Sequence, residues 1–212
     1  YNMYKIHRIT LLIKNLLKEG LKDKIYHVDD IMTDIHLFAK KKISKLNLEK
    51  FNLRSNRYYL MTIHRPYNTD NPVFFDWLFG HLKKISNKII FPLHPRTKKV
   101  LESYSNVPNN IKLTTPLGFL DFQNLLSKSL GVITDSGGVQ KEAYLWEVPC
   151  FTVRTETEWL ETVGLGWNKL IIPFRDDLYD EIKIWRTPKK HLNIFGNGNA
   201  SKRMIDIIRK ES

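Results

Sequence analysis

Long apolar runs are missing from this chain: nowhere does it approach the roughly 20 consecutive apolar residues that a membrane-spanning helix needs. Cysteine is nearly absent too. The single one, Cys150, cannot build a disulfide framework, and its place in the apolar run VPCFTV marks a small core residue rather than a nucleophile. A lone, buried thiol fits a reducing, cytoplasmic setting. No metal-ligand spacing of cysteine and histidine is present, so neither a metal site nor a cofactor is expected. Acidic residues are in deficit, with 22 Asp/Glu against 34 Lys/Arg and a net charge of +12. That excess favours an anionic partner. It does not by itself indicate nucleic acid. The clustered lysines of AKKKISKLNLEK read as a solvated helix end and linker, with no arginine-rich arm or aromatic RNA-binding signature beside them.

What the chain does have is a core. Apolar residues make up 42% of its 212 positions and aromatics 12%, enough for one large or two small domains. The pattern alternates. YKIHRITLLIKNLLKEG reads as a helix stopped by Gly20, KIYHV as a short strand, and DDIMTDIHLFAKKKI as a helix capped by Asp29 or Asp30. After a polar linker come the strands RYYLMTI, KIIFPL, IKLTT, LGVITD, CFTVR and KLIIPF. Helical segments of about ten residues stand between the first five, and the helices RDDLYDEIKIW and NASKRMIDIIRK close the chain. Such alternation predicts an α/β fold, a Rossmann-like doubly wound parallel sheet, over residues 55–195. Residues 1–54 then form a preceding segment and residues 196–212 a C-terminal helix.

Open parallel sheets bind ligands outside the carboxyl ends of their strands. Five strand ends here carry polar or glycine residues: His64-Arg65, His94-Pro95-Arg96, Pro116-Leu117-Gly118, Ser136-Gly137-Gly138, and Arg154 followed by Glu156 and Glu158. Together they describe a crevice for an anion. Gly137 and Gly138 stand where a strand gives way to a helix, so a phosphate can approach the unpaired N–H groups of the first turn. Ser136 can cap that helix or bond a phosphate oxygen. Glu142 lies one turn farther on the same face, about 6 Å along the axis, where it could accept the hydroxyl protons of a ribose. On this stretch alone an ordinary Ser-capped helix remains open, and the other strand ends favour the phosphate loop. His64 and His94 read as contacts to an anion or leaving group. His7, His27, His36, His81 and His191 read as surface or packing residues, and Trp159 and Trp167 as core or rim.

TIHRPYNTD, PLHPRTKK, PLGFLDFQNLL, TDSGGVQKEAYLWEVPCFTVRTETEWLETVGLGWN and FGNGNASKRMIDII occur in order, and in this series the chain resembles the non-hydrolysing UDP-N-acetylglucosamine 2-epimerases. The resemblance implies a glycosyltransferase-B architecture of two Rossmann-like domains with the active site between them. It covers that family's second half, from about Asn15 to Arg209, with NLLKEGLKDKIYHVDDIMTD resembling the tail of the first domain and the crossing into the second. The implied reaction inverts C2 of UDP-GlcNAc through UDP elimination and re-addition. The C2 acid/base carboxylates are expected in the missing half.

By position, the resemblance makes His64 the group assisting departure of the diphosphate and Ser136, Gly137 and Gly138 the diphosphate loop. It places Glu142 on the ribose, Phe122 near the uracil, and Arg154 and Glu158 after the next strand, with Arg65, His94 and Arg96 as further substrate contacts. Tyr67, Leu117, Trp159 and Asp29 depart from the common pattern. The expected partner is a UDP-sugar, together with a missing first domain or a second copy of the chain, and neither nucleic acid nor membrane. Two alternatives stay open. One is a non-catalytic UDP-binding remnant or regulator, suggested by Tyr67. The other is a glycosyltransferase-B nucleotide-sugar transferase, which the Glu-Thr-Glu-Trp block opposes.

Overall fold

Short apolar runs bounded by turn residues become strands, and the amphipathic segments between them become helices that cover the sheet. The computed structural model describes residues 16–20, 25–43, 48 and 51–211. Its elements run α1 (Ile31–Ile43), β1 (Tyr58–Thr62), α2 (Pro66–Thr69), α3 (Phe74–Leu82), β2 (Lys88–Pro92), α4 (Pro95–Leu101), β3 (Ile111–Thr114), α5 (Phe119–Ser127), β4 (Gly131–Thr134), α6 (Gly137–Leu145), β5 (Cys150–Val153), α7 (Leu160–Gly164), β6 (Asn168–Ile171), α8 (Leu178–Ile184) and α9 (Ala200–Glu211). Most of the helix expected over YKIHRITLLIKNLLKEG lies outside the described residues. The strand expected at KIYHV is not formed over residues 25–28, which have no regular structure.

The chain divides into two compact units, Ala39–His191 and a second made of Tyr1–Phe38 with Leu192–Ser212. In the larger unit six parallel strands lie in the order β3-β2-β1-β4-β5-β6. This is the doubly wound Rossmann order. Side chains alternate across the sheet, as the two-residue period of a strand requires. Met61, Ile63, Ile89, Phe91, Ile133, Phe151 and Val153 join one apolar cluster with Phe75, Leu78 and Leu82 of α3. Tyr58, Leu60, Ile90, Val132 and Cys150 join the other with Leu125 and Leu126 of α5 and Ala143 of α6. Fully burying a side chain of this size contributes about 1.5–3 kcal/mol, which is why the two faces, and not helix propensity, hold these short helices. Cys150 sits in the second cluster, where burial pushes its thiol up to about 12.

The smaller unit is held by capping. Asp30 accepts the backbone N–H of Met32 at 2.9 Å and starts α1. Asp34, one turn on, accepts the N–H groups of Ala200 and Ser201 at 3.1 Å each, together with the Ser201 hydroxyl at 2.5 Å. It therefore caps α9 from another helix. Asp29 adopts a φ of 67°, a left-handed conformation that Asp tolerates better than most residues, and takes an ion pair from Arg203 at 2.7 Å.

Candidate active site at the sheet's switch point

Strands β1 and β4 are neighbours in the sheet, and the winding order reverses between them. A crevice opens at such a point, outside the carboxyl ends of the two strands. His64 and Arg65 leave one strand there, and Asp135, Ser136 and Gly137 leave the other.

The register of the inner strands puts Thr62 opposite Thr134 and Thr134 opposite Thr152. These threonines begin a polar network under the first turn of α6. The hydroxyls of Thr62 and Thr134 are 2.7 Å apart, and Thr134 also accepts the N–H of Ser136 at 3.0 Å. Thr152 donates to Asn168 Oδ1 at 2.7 Å, Asn168 Nδ2 donates to Gln140 Oε1 at 3.0 Å, and Gln140 Nε2 returns to the Ser136 carbonyl at 3.3 Å. Buried and satisfied, such a chain of polar groups rigidifies what it touches. Here it fixes the loop that carries Ser136 and the two glycines. Ser136 caps α6 by accepting from Val139 N–H at 3.5 Å. Gly137 and Gly138 carry no side chain to screen the N–H groups of that first turn.

Asp135 is fully buried. Its carboxylate accepts the backbone N–H groups of His64 at 3.0 Å and Arg65 at 2.9 Å, and Asn68 Nδ2 at 3.1 Å. Nδ1 of His64 lies 3.2 Å from its other oxygen. The carboxylate thus accepts from three donors and faces Nδ1 of His64, an arrangement that favours the ring proton on Nδ1 and leaves Nε2 for a ligand. The ring of His94 stands 5.3 Å from that of His64, while its Nδ1 accepts the N–H of Arg96 at 3.2 Å and caps α4. Both histidines line an open cleft of about 240 Å³ with Thr62, Leu117, Phe122, Ser136 and Val139.

Positive charge converges beside it. Arg154 is buried and pairs with Glu158 at 2.6 Å. Burial alone would raise the Glu158 carboxyl, but its own backbone N–H and Arg154, with Arg65 behind, outweigh burial and hold it below the usual range. Nε of Arg65 is buried without a hydrogen-bond partner. The Tyr67 phenol is raised by burial, an effect that the nearby Arg154 and Arg65 oppose and Asp135 reinforces. Glu142 projects from α6 beside the Gln123 amide. Burial pushes its carboxyl up to about 7, more than the amide lowers it.

His64, Arg65, His94, Phe122, Ser136, Gly137, Gly138, Glu142, Arg154 and Glu158 thus fall on or next to this edge. Arg96 does not line the cleft. Its guanidinium turns to Asp70, with contacts of 3.0 and 3.2 Å. Asp135, Asn68 and Gln140 were not anticipated from the sequence, although a carboxylate between an apolar strand and a capping serine is a signal that could have marked Asp135. Among the described residues no group of three or more His, Cys, Asp or Glu is placed to hold a metal ion, and no helix is long and apolar enough to cross a membrane.

Residues 10–209 match the UDP-N-acetylglucosamine 2-epimerase family. The chain belongs to that family. A UDP-N-acetylglucosamine 2-epimerase homolog of Methanococcus maripaludis is 39% identical over 92% of this chain and 57% of its own length. A UDP-2,3-diacetamido-2,3-dideoxy-D-glucuronate 2-epimerase of Pseudomonas aeruginosa is 35% identical over 93% of this chain and 57% of its own. The crystal structure of Methanocaldococcus jannaschii UDP-GlcNAc 2-epimerase in complex with UDP-GlcNAc and UDP matches with a TM-score of 0.81 and 35% identity, covering 93% of this chain and 58% of that one. The chain therefore spans somewhat over half the length of these epimerases. Its sheet is the Rossmann-like doubly wound sheet of a glycosyltransferase-B-type fold.

Proposed function

We propose that this chain is the UDP-holding half of a UDP-N-acetylglucosamine 2-epimerase, acting with the other half of the fold or with a second copy of itself in the cytoplasm. The reading is carried by one observation: His64, whose backbone N–H bonds buried Asp135 and whose Nδ1 lies 3.2 Å from the same carboxylate, stands at the switch point beside the glycine turn of α6. A diphosphate seated on Gly137 and Gly138 would meet unpaired N–H groups and the positive end of a helix, with Arg154 and Arg65 adding charge. Glu142 would take the ribose hydroxyls and Phe122 the uracil. The relative crystallised with UDP-GlcNAc and UDP supports a UDP-sugar as ligand.

In the proposed reaction a base takes the proton from C2 of the sugar as the C1–O bond to the diphosphate breaks, giving a glycal and UDP. Re-addition of UDP at C1, with protonation of C2 on the opposite face, gives the epimer. His64 and the helix terminus stabilise the charge that develops on the departing diphosphate. The C2 carboxylates belong to the half not contained in these residues. Calorimetric titration with UDP tests the reading. Saturable binding that is lost in His64→Ala and Ser136→Ala is expected, and a chain that binds no UDP would overturn it.

A further inference from the structure

Arg154 is buried and anchored. Its backbone N–H donates to the Ile171 carbonyl at 3.0 Å, and its side chain is 10% exposed. A charge taken out of water needs a partner. Its ion-pair partner is Glu158, with Oε2 2.6 Å from Nη1. The two ends of this pair are held unequally. Around Glu158 the backbone is tied down: the Thr157 hydroxyl donates to Gln140 Oε1 at 2.6 Å and accepts the Trp159 N–H at 3.0 Å. The Glu158 side chain, by contrast, is 44% exposed, and its carboxylate is held by Arg154 and by its own backbone N–H. The carboxylate can therefore leave for water while the loop and Arg154 stay where they are.

That carboxylate also stands beside the first residue of α6. Its Oε1 and its carboxyl carbon come within 2.9 and 3.4 Å of where a Cβ on Gly137 would be. A negative group there sits in the favourable field of a helix N-terminus. It occupies the approach to the N–H groups of Gly137 and Gly138. A second anion brought to the same place would be repelled by it, and the more so in a partly buried site.

We propose that Glu158 is an exchangeable counter-ion: it keeps Arg154 in position and guards the α6 terminus until the diphosphate of a nucleotide replaces it on Arg154, and the carboxylate then turns out to water. The inference deepens the diphosphate reading given above and rests on it. Glu158 then opposes nucleotide binding rather than contacting the nucleotide. Affinity is reduced by the share of molecules in which the carboxylate is in place.

Calorimetric titration of the unaltered chain and of Glu158→Gln tests this, with UDP as ligand and uridine as the probe without phosphate. The substitution keeps the shape and an acceptor for Arg154 but removes the charge. Glu158→Gln is expected to bind UDP about fivefold to tenfold more tightly than the unaltered chain, with no such gain for uridine. Weaker or equal UDP binding would make Glu158 a ligand contact or a bystander and overturn the proposal, as would a gain that uridine shares. A second measurement needs no substitution. Burial would raise the Glu158 carboxyl, but its own backbone N–H, Arg154 and Arg65 together hold it below its ordinary value. Carbon-13 NMR titration of that carboxyl should show the midpoint moving up when UDP is saturating, because Arg154 has left it and a diphosphate lies nearby. A midpoint that stays or falls would show that the ion pair survives binding, and would overturn the exchange. If neither protein binds UDP, the nucleotide reading itself falls, and this inference with it.

Discussion

Arg154 Nη1 lies 2.6 Å from Glu158 Oε2, and the other oxygen of that carboxylate comes within 2.9 Å of where a Cβ on Gly137 would stand. The ion pair therefore covers the side of the α6 terminus that a diphosphate would approach. The three atoms nearest such a Cβ all belong to the end of the Glu158 side chain, which is 44% exposed and can shift by the little that is needed. Gly137→Ala should fold with stability close to that of the unaltered chain, as read by thermal melting. It should nevertheless bind UDP about tenfold or more weakly, because the methyl group fills the space a phosphate oxygen needs. Unchanged UDP affinity in calorimetry would show that close approach at Gly137 is not required.

Asp135 collects donors from three residues of the β1 end, His64, Arg65 and Asn68. Asp135→Asn keeps the shape but turns one acceptor into a donor that faces other donors. A loss of about 3 kcal/mol in urea unfolding is expected, in the range for breaking a buried, charge-assisted contact. The negative charge facing Nδ1 of His64 is lost, so nitrogen-15 NMR should show a changed balance of the ring's tautomers. A variant as stable as the parent, with the His64 spectrum unchanged, would mean that Asp135 does not orient the ring.

Much of this site was readable because chemistry collects at strand ends and each strand announced itself as a short apolar run. Ser136, Gly137 and Gly138 could be placed at a helix start from their neighbours, and Glu142 on that helix from its spacing, while their reading as a phosphate loop leaned on the other strand ends. Asp135 could not be read that way. Its donors are about 70 residues away, and the contact exists because β1 and β4 are adjacent, which chain order does not state. Gln140 and Asn168 were hidden for the same reason, as polar residues that become satisfied only across strands. Arg96 misled in the opposite direction: the His-Pro-Arg turn is at a strand end as expected, but Asp70 on the neighbouring loop takes the guanidinium. KIYHV alternates like a strand, yet residues 25–28 pair with no sheet.

In the smaller unit, Asp34 caps α9 through the N–H groups of Ala200 and Ser201 and the Ser201 hydroxyl. Burial works against the charged form, but these three donors and its own backbone N–H outweigh it and hold the carboxyl below its ordinary value. The stabilisation is therefore present above the ordinary value of 3.8 and is lost as pH falls through the lowered one. Asp34→Ala should cost about 1 kcal/mol, the usual effect of removing an N-cap. Amide hydrogen exchange should rise in the first turn of α9 and stay unchanged in the sheet. Equal protection in both proteins would show that the helix start does not depend on Asp34.

Glu142 carries the clearest conflict between stability and binding. Burial raises its carboxyl from the ordinary 4.5 to about 7. In the unfolded chain the group ionises near the lower value, so between the two the folded state holds a proton that the unfolded state has released. The cost of ionising it in the fold is absent below pH 4.5, grows as pH rises toward 7, and is constant above. Two and a half pH units correspond to about 3 kcal/mol at 1.36 kcal/mol each. Glu142→Gln never ionises. It should match the parent in stability at pH 4.5 and exceed it by up to about 3 kcal/mol at pH 8 in denaturant unfolding without ligand. The same substitution should weaken UDP, because an amide cannot accept both protons of a diol. With the ribose role proposed above, Glu142 would serve its ligand at the expense of the fold, the trade expected at a binding site. If Glu142→Gln proved no more stable than the parent at pH 8, the carboxyl would already be relieved by water or a shifted side chain, and its strained state in the free protein would have to be abandoned.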